Sequence, residues 1–199
     1  MTKDERFPQS LSVAFEQPKV AADPGSPGRV VASGCLEAYQ RELDYLIGSL
    51  RRLGVRYPDV EDVLHEVFLV MLRRWEDYDP TRPVRPWLFG ITYRVAAANR
   101  RKRTREILGT DYEAEDLCEG PDEHLAADQD RALLLRALAQ VPIERRAVLI
   151  MHEIDETPMR QIAATLEIPL FTAYSRLRKA RTELDAALIR LEKGSHRVR

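Results

Sequence analysis

Between Glu106 and Asp130 the chain carries ten acidic residues and no basic one. A block of one charge sign repels itself and stays solvated, so it acts as a tether rather than as part of a core. Gly109, Gly120 and Pro121 within it are turn and breaker residues. The block therefore divides the chain. Whatever folds must fold as one unit before it and one after it, each small.

Both units read as helical. No stretch shows sustained strand alternation, and no internal repeat is present. The clearest segment is Asp59–Trp75. There Val60, Val63, Leu64, Val67, Phe68, Met71 and Trp75 form an i, i+3, i+4, i+7 stripe behind the start signal Pro58-Asp59. Asp59, Asp62, Glu66 and Arg73 fall on the opposite face with Leu69 among them, an apolar spot rimmed by charge of the kind that binds a partner. Three prolines (Pro80, Pro83, Pro86) then fix an irregular loop over 78–86. Pro86 suits the first turn of the next helix, whose expected buried stripe is Leu88, Ile91, Val95 and Ala98. After the acidic block, Thr157 and Pro158 are expected as N-cap and first position of a short helix to Leu166, burying Ile162, Ala163 and Leu166. A turn at Glu167-Ile168-Pro169 leads to a second helix from Leu170. It is expected to bury Ala173, Leu177, Ala180, Leu184 and Leu188, with Tyr174 at the edge of that stripe. Its outer face carries Thr172, Ser175, Lys179 and Thr182, flanked by Arg176, Glu183 and Arg178. A short helix, a tight turn and a second helix faced with Arg, Ser and Thr is the geometry that enters a major groove.

The expected organisation is thus all-α. A disordered tail (1–34) precedes one helical domain (35–105). A flexible acidic linker (106–124) joins it to a second helical domain (125–191), which ends in a basic tail (192–199). The net charge of the 199 residues is −1, which on its face argues against a nucleic-acid partner. The neutrality is a cancellation. Residues 94–105 carry six basic and no acidic residues, and residues 172–199 carry eight basic against three acidic. The first basic block continues a helix bearing Trp87, Phe89 and Tyr93, and rings beside cations are what single-stranded nucleic acid binds.

Other function classes fit poorly. His65-Glu66 and His152-Glu153 begin like metalloprotease motifs, but positions 69 and 156 hold Leu and Glu rather than His. No P-loop, dinucleotide fingerprint or Cys–His nucleophile is present. The two cysteines, Cys35 and Cys118, lie far apart and suggest neither a disulfide framework nor a zinc site. No catalytic residue, metal or cofactor is expected. The longest uninterrupted apolar run, Val67–Leu72, is far short of the roughly 20 residues that span a bilayer. No signal-peptide pattern follows Met1, so the expected location is the cytoplasm, without membrane insertion.

Three motifs in order carry a resemblance. Asp59-Val60-Glu61-Asp62-Val63-Leu64-His65-Glu66-Val67-Phe68 resembles "DAEDLVQEVF". Arg85-Pro86-Trp87-Leu88-Phe89-Gly90-Ile91 is similar to "FRAWLYRI". Ile162-Ala163 through Ile168-Pro169, then Thr172 to Arg181, resembles "IAxxLGIPxGTVKSRLxRAR". Over residues 35–191 the chain resembles an extracytoplasmic-function (ECF) sigma factor of the sigma-70 family. The resemblance makes the first domain sigma region 2 and the second region 4, and implies an RNA polymerase sigma factor serving a stress or envelope response. Its implied partners are core RNA polymerase, through the largest-subunit clamp helices and the flap, promoter DNA and an anti-sigma factor. Core polymerase would meet Asp59, Asp62, Glu66, Leu69 and Arg73. The −10 element would meet Arg82, Arg85, Trp87, Tyr93, Arg94, Asn99, Arg100 and Arg103. The −35 element would meet Thr172, Tyr174, Ser175, Arg176 and Lys179. Glu167 stands where the family mostly has Gly, at a cost of roughly 1 kcal/mol if its φ is positive. Phe171 stands in place of the usual Gly, and Tyr174 in place of a common basic residue. The rival reading is a helix-turn-helix regulator that binds DNA without polymerase.

Overall fold

The computed structural model describes residues 27–108 and 126–195, with side chains over 33–105 and 130–193. Among the described residues there are eight α-helices and no strand: α1 (Pro27–Arg41), α2 (Leu43–Leu53), α3 (Val60–Arg73), α4 (Val84–Leu108), α5 (Ala126–Gln140), α6 (Ile143–Leu149), α7 (Met159–Thr165) and α8 (Leu170–Ser195). The all-α expectation holds. None of these helices is long and apolar enough to cross a membrane.

The first four helices form one unit. The α3 stripe buries Val63, Val67 and Met71 against Leu46, Leu50 and Leu53 of α2 and Leu88, Ile91 and Val95 of α4. Val60 begins α3, and Asp59 does not cap it with its side chain. Trp75, expected as the end of this helix, lies beyond a break at Arg74 and opens a separate 3₁₀ turn, Trp75–Asp77. The helix at the N-terminal end corrects the expected boundary at Cys35. α1 starts at Pro27, a residue suited to a first helical turn, so 27–34 are helical rather than part of a tail. Its buried face, Cys35, Ala38 and Tyr39, joins the same core, and burial pushes the Cys35 thiol up to about 11. The remainder of the expected tail, most of the acidic linker with Cys118, and the far end of the basic tail lie outside the described residues. α4 itself runs to Leu108, into the expected linker.

The last four helices pack α5, α6 and α7 around α8. α6 passes directly into one π-helical turn, Ile150–Ile154, closed by the Asp155 N–H donating to Ile150 O at 3.1 Å. This wide turn swings the chain out, and Glu156 then takes φ 50°. Thr157 is not the cap of α7. Its backbone N–H donates to Met151 O at 2.8 Å, the side chain is buried, and Pro158 takes the N-cap position with ψ 140°. Ile162, Ala163 and Leu166 are buried as expected. Glu167 does adopt a left-handed conformation, φ 55°, with its N–H donating to Ala164 O. The seam of α8 is Ala173, Leu177, Ala180 and also Ala187, whereas Leu184 and Leu188 are only half-buried. Tyr174, expected at the edge of that seam, is 56% exposed. The seam is narrow because alanines carry it.

The two units share one continuous apolar core. α2 packs on α5 and α6, and α4 packs on α7. This contact corrects the α4 stripe. Ala98 is exposed, while Ala96 and Ala97 are buried, because α4 is also covered on the flank that meets the second unit.

Candidate nucleic-acid interface

Asp62, Glu66, Leu69 and Arg73 are all exposed on one face of α3, spaced three or four residues apart. Leu69 is 41% exposed, with Leu72 beside it at 38%. Arg73 is held in place by Nε donating to Leu69 O at 3.1 Å. Asp59 does not share this face. Its carboxylate is engaged at the base of the helix, accepting from Arg56 Nε at 3.2 Å and from Arg103 Nη1 at 3.0 Å. Arg103, expected among the DNA contacts, thus tethers the far part of α4 to the start of α3.

The loop before α4 is fixed by its own chemistry. Asp79 Oδ1 accepts from Thr81 N–H and Oγ1 at 3.0 and 2.6 Å, which holds its carboxyl below the usual range. The Tyr78 hydroxyl donates to Arg82 O at 2.7 Å. The rings of Trp75, Tyr78 and Trp87 pack together with centroids 5.0–6.0 Å apart. Trp87 is therefore half-buried in an aromatic pillar, and Phe89 is fully buried in the core. Arg82 pairs with Asp79 and stays exposed. Arg85 donates from Nε to the buried Glu42 carboxylate at 2.8 Å, and its guanidinium lies 5.1 Å from the centroid of Tyr45. Arg100 is exposed, and Asn99 and Tyr93 are half-buried.

Arg94 points at the second unit. Its Nη2 donates to Thr165 O at 3.1 Å and pairs with Glu167 Oε1 at 2.6 Å, which joins α4 to the turn between α7 and α8. On α8, Tyr174 and Lys179 are exposed, while Thr172, Ser175 and Arg176 are half-buried. Arg176 lies near enough to the Tyr93 hydroxyl to act on it electrostatically, although burial is the main cause that raises that group. Phe171, at the entry to α8, is 84% exposed, the most exposed large apolar side chain among the described residues. The −35 candidates lie in the first turns of α8, where Thr172, Ser175, Arg176 and Lys179 follow one side and Tyr174 faces away from them, and the −10 candidates follow the loop and α4.

Arg146 was not singled out by sequence and is fully buried. Its guanidinium donates to Val141 O and Ala139 O at 2.7 Å and, across the units, to Leu53 O at 2.7 Å. These carbonyls belong to the C-terminal ends of α2 and α5, which lack helical partners and carry the negative end of the dipole. One cation thus satisfies two helix ends. Gly54, with φ 87°, makes room for it, since a Cβ there would collide with Arg146 Nη1. The signal in the sequence was an Arg on the same helical stripe as Ile143, Ala147 and Ile150.

Comparison with known proteins agrees with this layout. Residues 38–106 match the family model "Sigma-70 region 2", and residues 131–184 match "Sigma-70, region 4". The ECF RNA polymerase sigma factor SigL of Mycobacterium tuberculosis is 36% identical over 135 residues, covering 65% of this chain and 74% of that protein. The RNA polymerase sigma factor CnrH of Cupriavidus metallidurans is 26% identical over 187 residues, covering 83% and 96%. Among solved structures, CnrH in complex with the cytosolic domain of CnrY superposes with TM-score 0.55 at 24% identity, covering 81% of this chain and 94% of that one. RpoE in complex with the anti-sigma factor NepR from Bartonella quintana gives 0.57 at 20%, covering 76% and 97%. The two structures share the fold. With regions 2 and 4 matched in order and SigL aligned across most of its length, the chain belongs to the ECF RNA polymerase sigma factors of the sigma-70 family.

Proposed function

We propose that this chain directs core RNA polymerase to promoters through three separate faces. The exposed Asp62, Glu66, Leu69 and Arg73 face of α3 docks on the largest-subunit clamp helices, burying Leu69 within a charged rim. Asp59 supports that face from inside, through Arg56 and Arg103. The 78–86 loop and α4 take the non-template strand of the −10 element. Arg82, Arg85, Arg94, Arg100 and Arg103 supply charge along the backbone path, with Asn99 among them, and Trp87 and Tyr93 supply ring surface. A base leaving the stack there trades lost stacking for protein contacts, which favours melting. Thr172, Tyr174, Ser175, Arg176 and Lys179 on α8 meet the −35 element as duplex, while region 4 also contacts the polymerase flap.

Bond-making is left to the polymerase in this reading, and the protein works in the cytoplasm. An anti-sigma factor is a further partner; the RpoE structure of the same fold holds one. The observation that carries the proposal is the exposed α3 face, which a DNA-binding regulator working alone has no use for. Leu69→Asp combined with Glu66→Arg tests it. Affinity for core polymerase, measured by fluorescence anisotropy, is expected to fall at least a hundredfold with helical content unchanged. An unchanged affinity removes this face from the polymerase contact.

A further inference from the structure

Three large apolar side chains stand exposed close together at the start of α8: Leu170, Phe171 and Tyr174. Phe171 is the extreme. At 3.6 residues per turn it projects from the side of the helix opposite the buried Ala173, Leu177 and Ala180, so nothing within region 4 covers its ring. Ser175 and Arg178 follow on the same outward line, at helical spacings of four and three residues. Leu170 and Tyr174 flank that line on one side, and Thr172, Arg176 and Lys179 flank it on the other.

The surroundings say what can cover this ring. Arg176, Arg178, Lys179 and Arg181 follow it with no acidic side chain before Glu183. Arg178 and Lys179 are exposed and make no ion pair among the described residues. The face therefore suits a polyanion, yet its first turn is apolar. A phosphate backbone gives an aromatic ring on a helix tip nothing to bury against. The base edges of a duplex do: in the major groove they present one apolar group, the C5 methyl of thymine. A recognition helix brings its N-terminal residues to those edges, and Phe171 is the outward residue of that first turn.

We propose that Phe171 is a specificity-determining residue: its ring covers the C5 methyl of one thymine in the −35 duplex, with Leu170 and Tyr174 walling the contact on one side. The inference rests on the promoter role proposed above. Contact takes apolar surface out of water on both partners, which rewards the methyl. At the same place cytosine offers an amino donor, and the purines offer acceptors or an amino group, none of which the ring can satisfy. Arg178, one turn or so behind on the same line, is placed to hold the neighbouring charge of the duplex.

Deoxyuridine substitution tests this, because it deletes one methyl and leaves base pairing unchanged. Promoters that the holoenzyme transcribes supply the duplexes, and each thymine of the −35 element, on either strand, is replaced in turn. Affinity of the holoenzyme is read by competition. One position is expected to lose about fourfold, the factor set by one buried carbon group. Holoenzyme carrying Phe171→Ala is expected to bind the thymine and uracil duplexes equally at that position, with native helix content by circular dichroism and unchanged affinity for core polymerase. Transcribed promoters with no methyl-sensitive −35 thymine overturn the inference and leave the promoter role standing, and so does methyl sensitivity that survives in Phe171→Ala. A fall in the affinity of Phe171→Ala for core polymerase without DNA sets the ring against protein and overturns it too. If no promoter is transcribed, the promoter role itself fails and takes this inference with it.

Discussion

Arg146→Met removes the guanidinium that bridges the ends of α2 and α5 while keeping an unbranched apolar stem. The native guanidinium makes hydrogen bonds to Val141 O, Ala139 O and Leu53 O. Their sum is not the cost of losing them, because burying the cation already offsets several kcal/mol in the native protein. What the variant leaves behind is a set of carbonyls at two helix ends, each costing about 1–3 kcal/mol if it stays dry. Leu53 O can regain water if the regions part, whereas Val141 O and Ala139 O sit in the tight corner between α5 and α6. Two stranded carbonyls give a loss of about 2–6 kcal/mol, a large share of the roughly 5–15 kcal/mol typical of a domain. Urea unfolding followed by far-ultraviolet circular dichroism measures it. Gly54→Ala supplies the matching test of geometry. Its Cβ collides with Arg146 Nη1 and its φ of 87° is strained for alanine. It should therefore cost more in the native background than in the Arg146→Met background, where only the backbone strain remains. The reasoning is refuted if Arg146→Met lies within about 0.5 kcal/mol of the native protein, or if the two substitutions add.

Two further predictions concern pH and base reading. Burial raises the Asp155 carboxyl above its ordinary 3.8, against the lowering effect of Tyr45 and of Arg52 and Arg85. The folded chain therefore holds that proton more tightly than the unfolded one, so the stabilisation is complete below 3.8 and is lost as pH rises through the higher folded value. The unfolding free energy of the native protein minus that of Asp155→Asn should rise on acidification toward 3.8; a difference that falls contradicts the assignment. Arg176→Ala should weaken binding of the polymerase-bound protein to its own −35 sequence by about 1–3 kcal/mol and relax selectivity at one base pair, as read by competition with single-base variants. An equal loss on all sequences makes Arg176 a phosphate contact.

The elements legible in the sequence are those whose information is local. The Val63–Val67–Met71 stripe, the three-proline loop and the Ile162–Glu167–Ala173 helix-turn-helix each follow from spacing within a dozen or so residues, and each is present in the structure. The misreadings share another cause. Ala98 is exposed and Ala97 buried because α4 is covered on a second flank by the region that follows the acidic block, a contact no periodicity within α4 records. Arg146 has in part the same origin, since one of the two helix ends it satisfies, that of α2, comes from a distant part of the chain. Thr157 fails as a cap because the π-helical turn before it redirects its N–H to Met151. In the site, the residues themselves were legible, but their commitments were not. Asp59, Arg85, Arg94 and Arg103 read as free charges in sequence, and each is held by a partner brought from elsewhere in the fold or, for Asp59, also from its own turn.

The central claim is that this chain gives RNA polymerase a promoter address, and run-off transcription from a genomic promoter library with purified core polymerase tests it most directly. Addition of the protein is predicted to produce discrete transcripts from a limited set of promoters sharing one −35 and one −10 sequence, with none from core alone. Contradiction would be the absence of promoter-specific initiation together with tight, unaided binding of the free protein to duplex sites, the behaviour of a regulator that works without polymerase.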